Sequence, residues 1–256
     1  MRGRPEGVTR AGLRPWVVGL VAGLGGGLFS LGGGTLTIPL MLRWLHLDAH
    51  AARGTALAAA VPTSLAGAWL YARAGQVEWP VVLAVALPAL LLTPLVGYWT
   101  ERWPGARLRR AFGGVVLVGA LALVLRDHAL PTPELAGGER WAYLVFVGVV
   151  EGLVAGSVGV SGGPVLAPLL VLGLGLPQQT AQGCSLAARV PAVLAGLMEN
   201  WRCGHVRLPL LPGLVGGGLV GVWLGSHLAL ALPEARLRWL FAGVLFFLGW
   251  RFLRGR

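Results

Sequence analysis

Apolar residues run along the chain in long segments separated by short polar stretches. A helix needs ~20 consecutive apolar residues to cross the ~30 Å hydrocarbon core of a bilayer. In lipid, only a structure that satisfies its own backbone hydrogen bonds is stable. The pattern therefore predicts an all-α polytopic membrane protein. Its apolar segments lie at approximately 16–42, 51–72, 79–100, 108–125, 141–172, 181–201, 208–230 and 237–253.

The apolar pattern occurs twice in the chain. The stretch GLVAGLGGGLFSLGGGTLTIPLML begins at Gly19, and GVVEGLVAGSVGVSGGPVLAPLLV begins 129 residues later at Gly148. The register continues without a gap to the pair Phe112 and Phe241. A duplicated, interrupted apolar pattern is typical of transporters built from two repeats. We predict one membrane domain over 1–256, in which half-repeats at about 15–127 and 140–254 are joined by loop 128–139.

The first segment of each half is too long and too rich in glycine for one straight helix. At 1.5 Å per residue, segments 16–42 and 141–172 would form rods of ~40–48 Å. Glycine costs ~1 kcal/mol per helix position relative to alanine. We therefore expect helices to stop at the glycine runs 25–27 and 32–34, and at SVGVSGGP over 157–164. Each segment is then a kinked crossing or a re-entrant hairpin that enters and leaves on the same side.

The distribution of arginines favours the hairpin, because positive residues concentrate in cytoplasmic loops. Single crossings would move the arginine-rich loop 101–110 to the outside. With a cytoplasmic N-terminus and two hairpins, the loop arginines outside are only Arg73, Arg126, Arg140, Arg236 and Arg238. Each half would then have a hairpin and three crossings, an odd number, so the second half is predicted to be inverted relative to the first. Both termini are expected to be cytoplasmic.

Composition supports this class and excludes others. Hydrophobic residues make up 55% of the 256 residues and charged residues 12%. The net charge of +11 comes from arginines beside apolar segments, so we predict no nucleic-acid partner. Cys184 and Cys203 provide neither a disulfide framework nor a metal cluster. His46 and His50 flank Asp48 but have no third strong ligand, so we predict no metal and no cofactor.

The residues around the glycine breaks resemble a known family. GLGGGLFSLGGGTLTIPLML and GSVGVSGGPVLAPLLV are followed by the small-residue stretches ARGTALAAAVPTSLAG and AQGCSLAARVPAVLAG. Together they resemble the sulfite exporter TauE/SafE family, also called the toluene sulfonate uptake permease family. The resemblance implies a bacterial inner-membrane transporter of sulfur-containing anions such as sulfite, sulfonates or sulfoacetate. The second motif departs from the first, with Ser161 in place of Gly32 and Pro164 in place of Thr35.

The glycine breaks are the first candidate for a substrate site. A half-helix that starts after each break would point its N-terminus, with unpaired N–H groups and about half a positive charge, at a bound oxyanion. The alternative is close helix packing, which small residues also allow. The candidate binding residues at the breaks are Gly32, Gly33, Gly34, Thr35, Ser161, Gly162 and Gly163. Nearby hydroxyls at Ser30, Thr55 and Ser185 are weaker candidates.

Two charges in apolar helices complete the candidate site. Arg189 occupies the position of Ala60 in the repeat, and Glu151 occupies that of Ala22. A guanidinium within a membrane helix normally faces a cavity or a counter-ion, and it can hold an oxyanion by two hydrogen bonds. We predict that Glu151 pairs with Arg189 in the empty state and that its protonation releases Arg189, which would couple transport to protons. A purely structural salt bridge is the alternative.

Two other functions use the same features. Gly159 to Gly162 spell the GxSG pattern of rhomboid-like intramembrane proteases, in which Ser161 would be the nucleophile and His205 or His227 the base. An anion channel on the same bundle is a second alternative. The sequence favours a non-enzymatic transporter whose partners are a small anion and membrane lipids, and it makes no prediction of oligomeric state.

Overall fold

The structure, a computed structural model, describes residues 12–31, 34–100, 105–129, 135–158 and 163–254. The predicted all-α class is confirmed, since no strand occurs in these ranges. One 3₁₀ turn, Leu208–Leu210, precedes α10. The helices are α1 (Leu13–Phe29), α2 (Thr37–Trp44), α3 (Ala49–Arg73), α4 (Trp79–Thr100), α5 (Gly105–Ala129), α6 (Gly137–Val158), α7 (Gly163–Leu174), α8 (Gln178–Ala188), α9 (Val190–Arg202), α10 (Leu211–Ala231) and α11 (Glu234–Arg254).

The helices follow the repeat. Shifting α3 (Ala49–Arg73) by the repeat distance gives the range that α8 and α9 cover together, 178–202. The same shift relates α1 to α6, α2 to α7, α4 to α10 and α5 to α11. The predicted helix 181–201 is interrupted at Arg189, which separates α8 from α9. Pro191 removes one helix hydrogen bond at this point, because it has no N–H to donate to the Ala187 carbonyl. The equivalent Pro62 lies inside the continuous helix α3, so proline alone does not account for the interruption.

One expected helix end was wrong. The glycine run 25–27 lies inside α1, which continues to Phe29 and ends at Ser30 with a left-handed backbone (φ 55°). The glycines are tolerated because their bare backbone is covered by other groups. The carbonyl of Gly25 accepts the Leu31 N–H at 3.3 Å, and the Leu36 side chain packs on the Gly25 Cα. The break itself comes later, between Ser30 and the start of α2.

In each half, the second helix folds back beside the first. Leu36 contacts Gly25, and Met41 of α2 shares a buried cluster with Val18 of α1. In the second half, the Tyr143 hydroxyl of α6 donates to the Leu169 carbonyl of α7 at 2.9 Å. Both pairs therefore have the geometry of a helical hairpin with its tip at the glycine break.

Each hairpin packs against a helix of the other half. Gly19 of α1 lies against the backbone of Leu214 in α10. At the equivalent place, Gly148 of α6 lies against the backbone of Val85 in α4. The α1–α10 contact continues through Gly217, Gly221 and Gly225, where a methyl group would meet α1 backbone atoms. Glycine is required at these positions because the helix backbones touch directly.

Repeat-equivalent helices cross near the centre of the bundle. Gly67 of α3 contacts Leu186 of α8, and the equivalent residues, Gly196 of α9 and Leu57 of α3, are also in contact. The earlier part of α3 therefore lies beside the later part of α8–α9, so the two run antiparallel. Helices α5 and α11 are also antiparallel, since Gly113 lies beside Phe252 while the later residue Leu117 lies beside the earlier residue Gly249.

The lengths of the helices and the exposure of their large apolar side chains are typical of a membrane protein. Large apolar side chains such as Leu91 (69% exposed), Val118 (69%) and Phe247 (62%) cover the outside of the bundle. Within the described residues, four helices are long and apolar enough to span a bilayer, at Ala49–Arg73, Trp79–Val96, Gln178–Arg202 and Leu208–Ala231. Shorter apolar helical stretches occur at Leu13–Phe29, Phe112–Arg126 and Gly163–Leu174 within the same described residues.

Candidate functional site

Arg189 lies inside the bundle, at the junction of α8 and α9. It is 2% exposed, and its Nη1 donates a hydrogen bond of 2.8 Å to the Ser30 carbonyl. Ser30 is the last residue before the break between α1 and α2. The left-handed conformation of Ser30 turns its carbonyl out of the helix, so the oxygen is available to a donor from another element. The predicted arginine thus contacts the first glycine break directly.

The second break meets the first at the same place. Gly163, the first residue of α7, packs against the Ser30 carbonyl, and a Cβ at Gly163 would lie 3.4 Å from Arg189 Nη1. Any larger residue would push the carbonyl and the guanidinium apart. The start of α7, the end of α1 and the Arg189 side chain therefore converge on one point.

Hydroxyl groups surround this point, with different roles. Ser30 Oγ donates to Ser185 Oγ at 3.0 Å, and both serines are fully buried. Thr35 precedes α2 and is 1% exposed, and its hydroxyl has no hydrogen-bond partner among the described residues. Thr55 lies elsewhere, because its Oγ1 accepts the Arg207 backbone N–H at 2.9 Å. Ser30 and Ser185 therefore lie at the site, Thr35 lies just before the start of α2, and Thr55 binds the backbone before the Leu208–Leu210 turn.

Glu151 is the second buried charge of the region. It lies on α6 and is 1% exposed, and its negative charge acts on the Arg189 guanidinium. Its repeat partner Ala22 lies on α1 and is also buried. The structure therefore brings both charges that break the repeat into one electrostatic environment. Their exchange of partners during a transport cycle stays a prediction.

A crevice reaches Arg189 between α1, α3 and α10. Its accessible volume is about 20 Å³ in this conformation, which is space for about one water molecule. Its walls are mainly glycine and alanine, so the polar groups Arg189, Thr37 and Thr63 stand out on its surface. The lining residues are Gly19, Ala22, Gly23, Gly26, Thr37, Ala56, Ala59, Ala60, Thr63, Arg189, Leu214, Gly218 and Val222.

Some sequence candidates cannot be placed and others have structural roles. Gly32, Gly33, Ser161 and Gly162 lie outside the described residues. Gly34 is buried and directly precedes Thr35, before the start of α2.

The carboxylate of the histidine group near residue 48 has a structural role. No cluster of three potential metal ligands occurs in the described part of the chain. Asp48 instead caps α3, where its carboxylate accepts the Ala51 N–H at 2.9 Å. This hydrogen bond holds the pKa of Asp48 below its usual value. The carboxylate is therefore engaged in capping the helix.

Sequence reasoning missed two buried glutamines, Gln178 and Gln182 of α8. Both are fully buried, and Gln182 contacts the Tyr71 hydroxyl at 2.9 Å. The signal was present in the sequence, as amides spaced i, i+4 on the same helix face as Ser185 and Arg189.

Comparisons with known proteins give a consistent result. The chain is similar to the probable membrane transporter protein YdhB of Bacillus subtilis, with 23% identity over 215 residues, 83% of this chain and 88% of that protein. A probable membrane transporter protein of Haemophilus influenzae shares 23% identity over 242 residues, 87% and 90% of the two chains. One of Xylella fastidiosa (strain Temecula1) shares 28% over 228 residues, 86% and 84%. No solved structure matches the chain significantly.

The family comparison extends over nearly the whole chain. The sequence model of the sulfite exporter TauE/SafE family matches residues 15–252. The family and these relatives are described as transporters, which disfavours the rhomboid-like protease alternative built on Ser161. The glycine breaks and the buried arginine thus lie in a multi-pass membrane transporter. The chain belongs to the sulfite exporter TauE/SafE family.

Proposed function

We propose that this transporter carries a small sulfur-containing oxyanion, such as sulfite or a sulfonate, and holds it at Arg189. The observation that carries the proposal is the position of the guanidinium, which is buried where the two helix breaks meet and lines the crevice. One N–H group binds the Ser30 carbonyl. The guanidinium has further donors in a planar fork, which match the oxygens of an oxyanion.

The surroundings of Arg189 support an anion rather than a cation. The N-termini of α2 and α7 both lie at the breaks, and helix N-termini favour negative charge. The crevice brings Arg189 and two threonine hydroxyls together among glycine and alanine, and no acidic side chain is among its lining residues. The description of the family as sulfite exporters supports sulfur oxyanions as the substrate class.

We infer that Glu151 couples transport to protons. A carboxylate that acts on Arg189 in the empty site competes with the substrate for the same positive charge. When Glu151 takes up a proton, this competition ends and Arg189 is available to the anion. A proton and an anion would then cross together.

The proposed setting is a bacterial inner membrane with both chain termini in the cytoplasm and the two halves inverted. The positive-inside distribution of loop arginines supports this orientation. The antiparallel contacts between equivalent helices, α3 with α8–α9 and α5 with α11, support inversion. The hairpin geometry of α1–α2 and α6–α7 is consistent with an odd number of crossings in each half.

Uptake into proteoliposomes tests the function. Labelled sulfite, sulfate, thiosulfate and an aliphatic sulfonate would be offered with and without a pH gradient. We expect saturable uptake of at least one sulfur oxyanion that a pH gradient drives above equilibrium. Downhill, non-saturable flux would instead indicate the channel alternative. Absence of flux for all four anions, in protein that keeps its thermal transition, would contradict the proposed substrate class.

A further inference from the structure

Four buried polar side chains form a stripe along one face of α8. Gln178, Gln182 and Ser185 are fully buried and Arg189 is 2% exposed. At 3.6 residues per turn, the four positions lie within about 60° of one another around the helix axis, and they span roughly 16 Å along it. This α8 stripe connects the start of the helix with the proposed anion site.

The α8 stripe and the crevice approach Arg189 from opposite ends of the bundle. The crevice follows α3 over Ala56 to Thr63, in the first half of that helix. Gln182 contacts Tyr71, near the end of α3. Because α3 and α8 run antiparallel, the stripe leads to the end of the bundle where α3 finishes. Arg189 lies between the two.

The amides of the stripe have unused hydrogen-bonding groups. Neither Nε2 nor Oε1 of Gln178, nor Nε2 of Gln182, has a hydrogen-bond partner among the described residues. Buried polar groups in native proteins nearly always have a protein, water or ligand partner. Two adjacent primary amides in an apolar bundle are therefore suited to bind water or the oxygens of an anion.

One contact closes the stripe. The Tyr71 hydroxyl lies 2.8 Å from the Gly27 carbonyl and 2.9 Å from the side-chain amide of Gln182. A hydroxyl can donate one hydrogen bond and accept another, and a primary amide has both a donor and an acceptor, so Tyr71 can bind both partners at once. The contact holds the end of α1 and the end of α3 against α8, and the stripe opens only when it breaks.

We propose that the α8 stripe is a second access path to Arg189, closed in this conformation and used by water and the oxyanion when the crevice closes. Tyr71 is the latch of this path. The turn between α3 and α4 covers its end, where Gln76 accepts the Thr180 hydroxyl at 2.6 Å. The role of the path in carrying an anion rests on the proposed function, whereas its hydration does not.

Cysteine labelling tests the path without any substrate. In a Cys203→Ser background, Gln182→Cys would be exposed to a membrane-impermeant thiol reagent added on the side where α3 ends. The native Cys184 is the matched control, since it lies in the same turn of α8, is equally buried (0% exposed) and faces away from the stripe. We expect Gln182→Cys to react at least tenfold faster than Cys184. Equal rates would overturn the proposal.

Two further variants keep the test decisive. Gln178→Cys, closer to the end of the helix, should react at least as fast as Gln182→Cys. Tyr71→Phe removes the latch hydroxyl and should increase the Gln182→Cys rate several-fold, and an unchanged or lower rate contradicts its role. Labelling without transport of a sulfur oxyanion would leave the path intact and reject the substrate class. Transport of a sulfur oxyanion without labelling would support the substrate class and reject the path.

Discussion

At the scale of single residues, function depends on the difference between a guanidinium and an ammonium at position 189. Arg189 donates to the Ser30 carbonyl through Nη1, and the planar fork of a guanidinium can present two parallel donors to an oxyanion. A lysine would keep the positive charge but bring a single point donor. The substitution therefore separates the charge of the site from its hydrogen-bonding geometry.

We predict that Arg189→Lys lowers kcat/KM for anion uptake by about 10- to 100-fold. Hydrogen bonds to charged groups contribute about 1.5–3 kcal/mol, and 1.4 kcal/mol is a factor of ten. Initial uptake rates over a range of substrate concentrations would measure it. Arg207→Lys is the control, because that side chain is 49% exposed at the edge of the bundle and should tolerate the change. Equal uptake by both variants would argue against a binding role for Arg189.

Glu151 supports a second prediction at this scale. Glu151→Gln imitates the protonated carboxyl, so uptake should lose its dependence on pH while substrate still binds. Wild-type uptake should rise as the pH falls, because protonation releases Arg189. Uptake measured over a series of pH values would show a flattened profile for the variant. Glu139→Gln, on an exposed turn of the same helix, should keep the wild-type profile, and a pH dependence retained by Glu151→Gln would reject the coupling role.

The sequence allowed Arg189 and Glu151 to be predicted, because a charge in an apolar helix is conspicuous and both residues break the repeat. Gln178 and Gln182 were missed for a physical reason. Glutamine is a good helix former and carries no charge, so the amides do not interrupt an apolar pattern. Their spacing with Ser185 and Arg189 places them on one face of α8, but the burial of that face is visible only in the packed structure.

At the scale of elements, glycine has two roles that sequence alone did not separate. The run at 25–27 was expected to end a helix, yet α1 passes through it. Gly27 lies against Val222 and Ser226 of α10, so its function is close approach. The repeat predicted that the first segment of each half is broken, but it did not predict that the first break begins at Ser30.

We predict that Gly221→Ala destabilises the protein by about 1–3 kcal/mol, the usual cost of overpacking. The new methyl group would meet the Leu20 carbonyl and lie 2.7 Å from the Leu24 nitrogen, both backbone atoms that cannot move aside. Thermal unfolding in detergent would show a lower Tm. Gly243→Ala is the matched control, since nothing lies within 4 Å of its Cβ position. It should leave Tm unchanged or raise it, because alanine favours helix, and equal effects of the two variants would contradict the packing argument.

At the scale of the whole molecule, the repeat made the helix order and the presence of one glycine break in each half predictable. The pairing of each hairpin with a helix of the other half was not, because it depends on which glycine faces meet. The proposed inversion of the halves leads to a direct prediction about accessible sides. Positions 74 and 203 are equivalent in the repeat and both are exposed.

We predict that Cys203 and an introduced Ala74→Cys are accessible from opposite sides of the membrane. In the wild type, an impermeant maleimide should label Cys203 only from the cytoplasmic side. In Cys203→Ser with Ala74→Cys, the same reagent should label only from outside. Right-side-out and inside-out vesicles provide the two conditions, and the buried Cys184 gives the background level of labelling. Labelling of both positions from one side would exclude an inverted arrangement.

The glycine contacts between the halves have a mechanical consequence. Backbone lies on backbone where α1 meets α10 and where α6 meets α4, so neither pair can slide without a collision. The bodies that move are therefore expected to be these mixed pairs, each made from both copies of the duplication. They meet where α3 crosses α8–α9, through the pliable Leu57 and Leu186 side chains and close to Pro62 and Pro191. Arg189 lies at this hinge. Any movement of one body against the other would therefore change the contacts of an ion bound to Arg189.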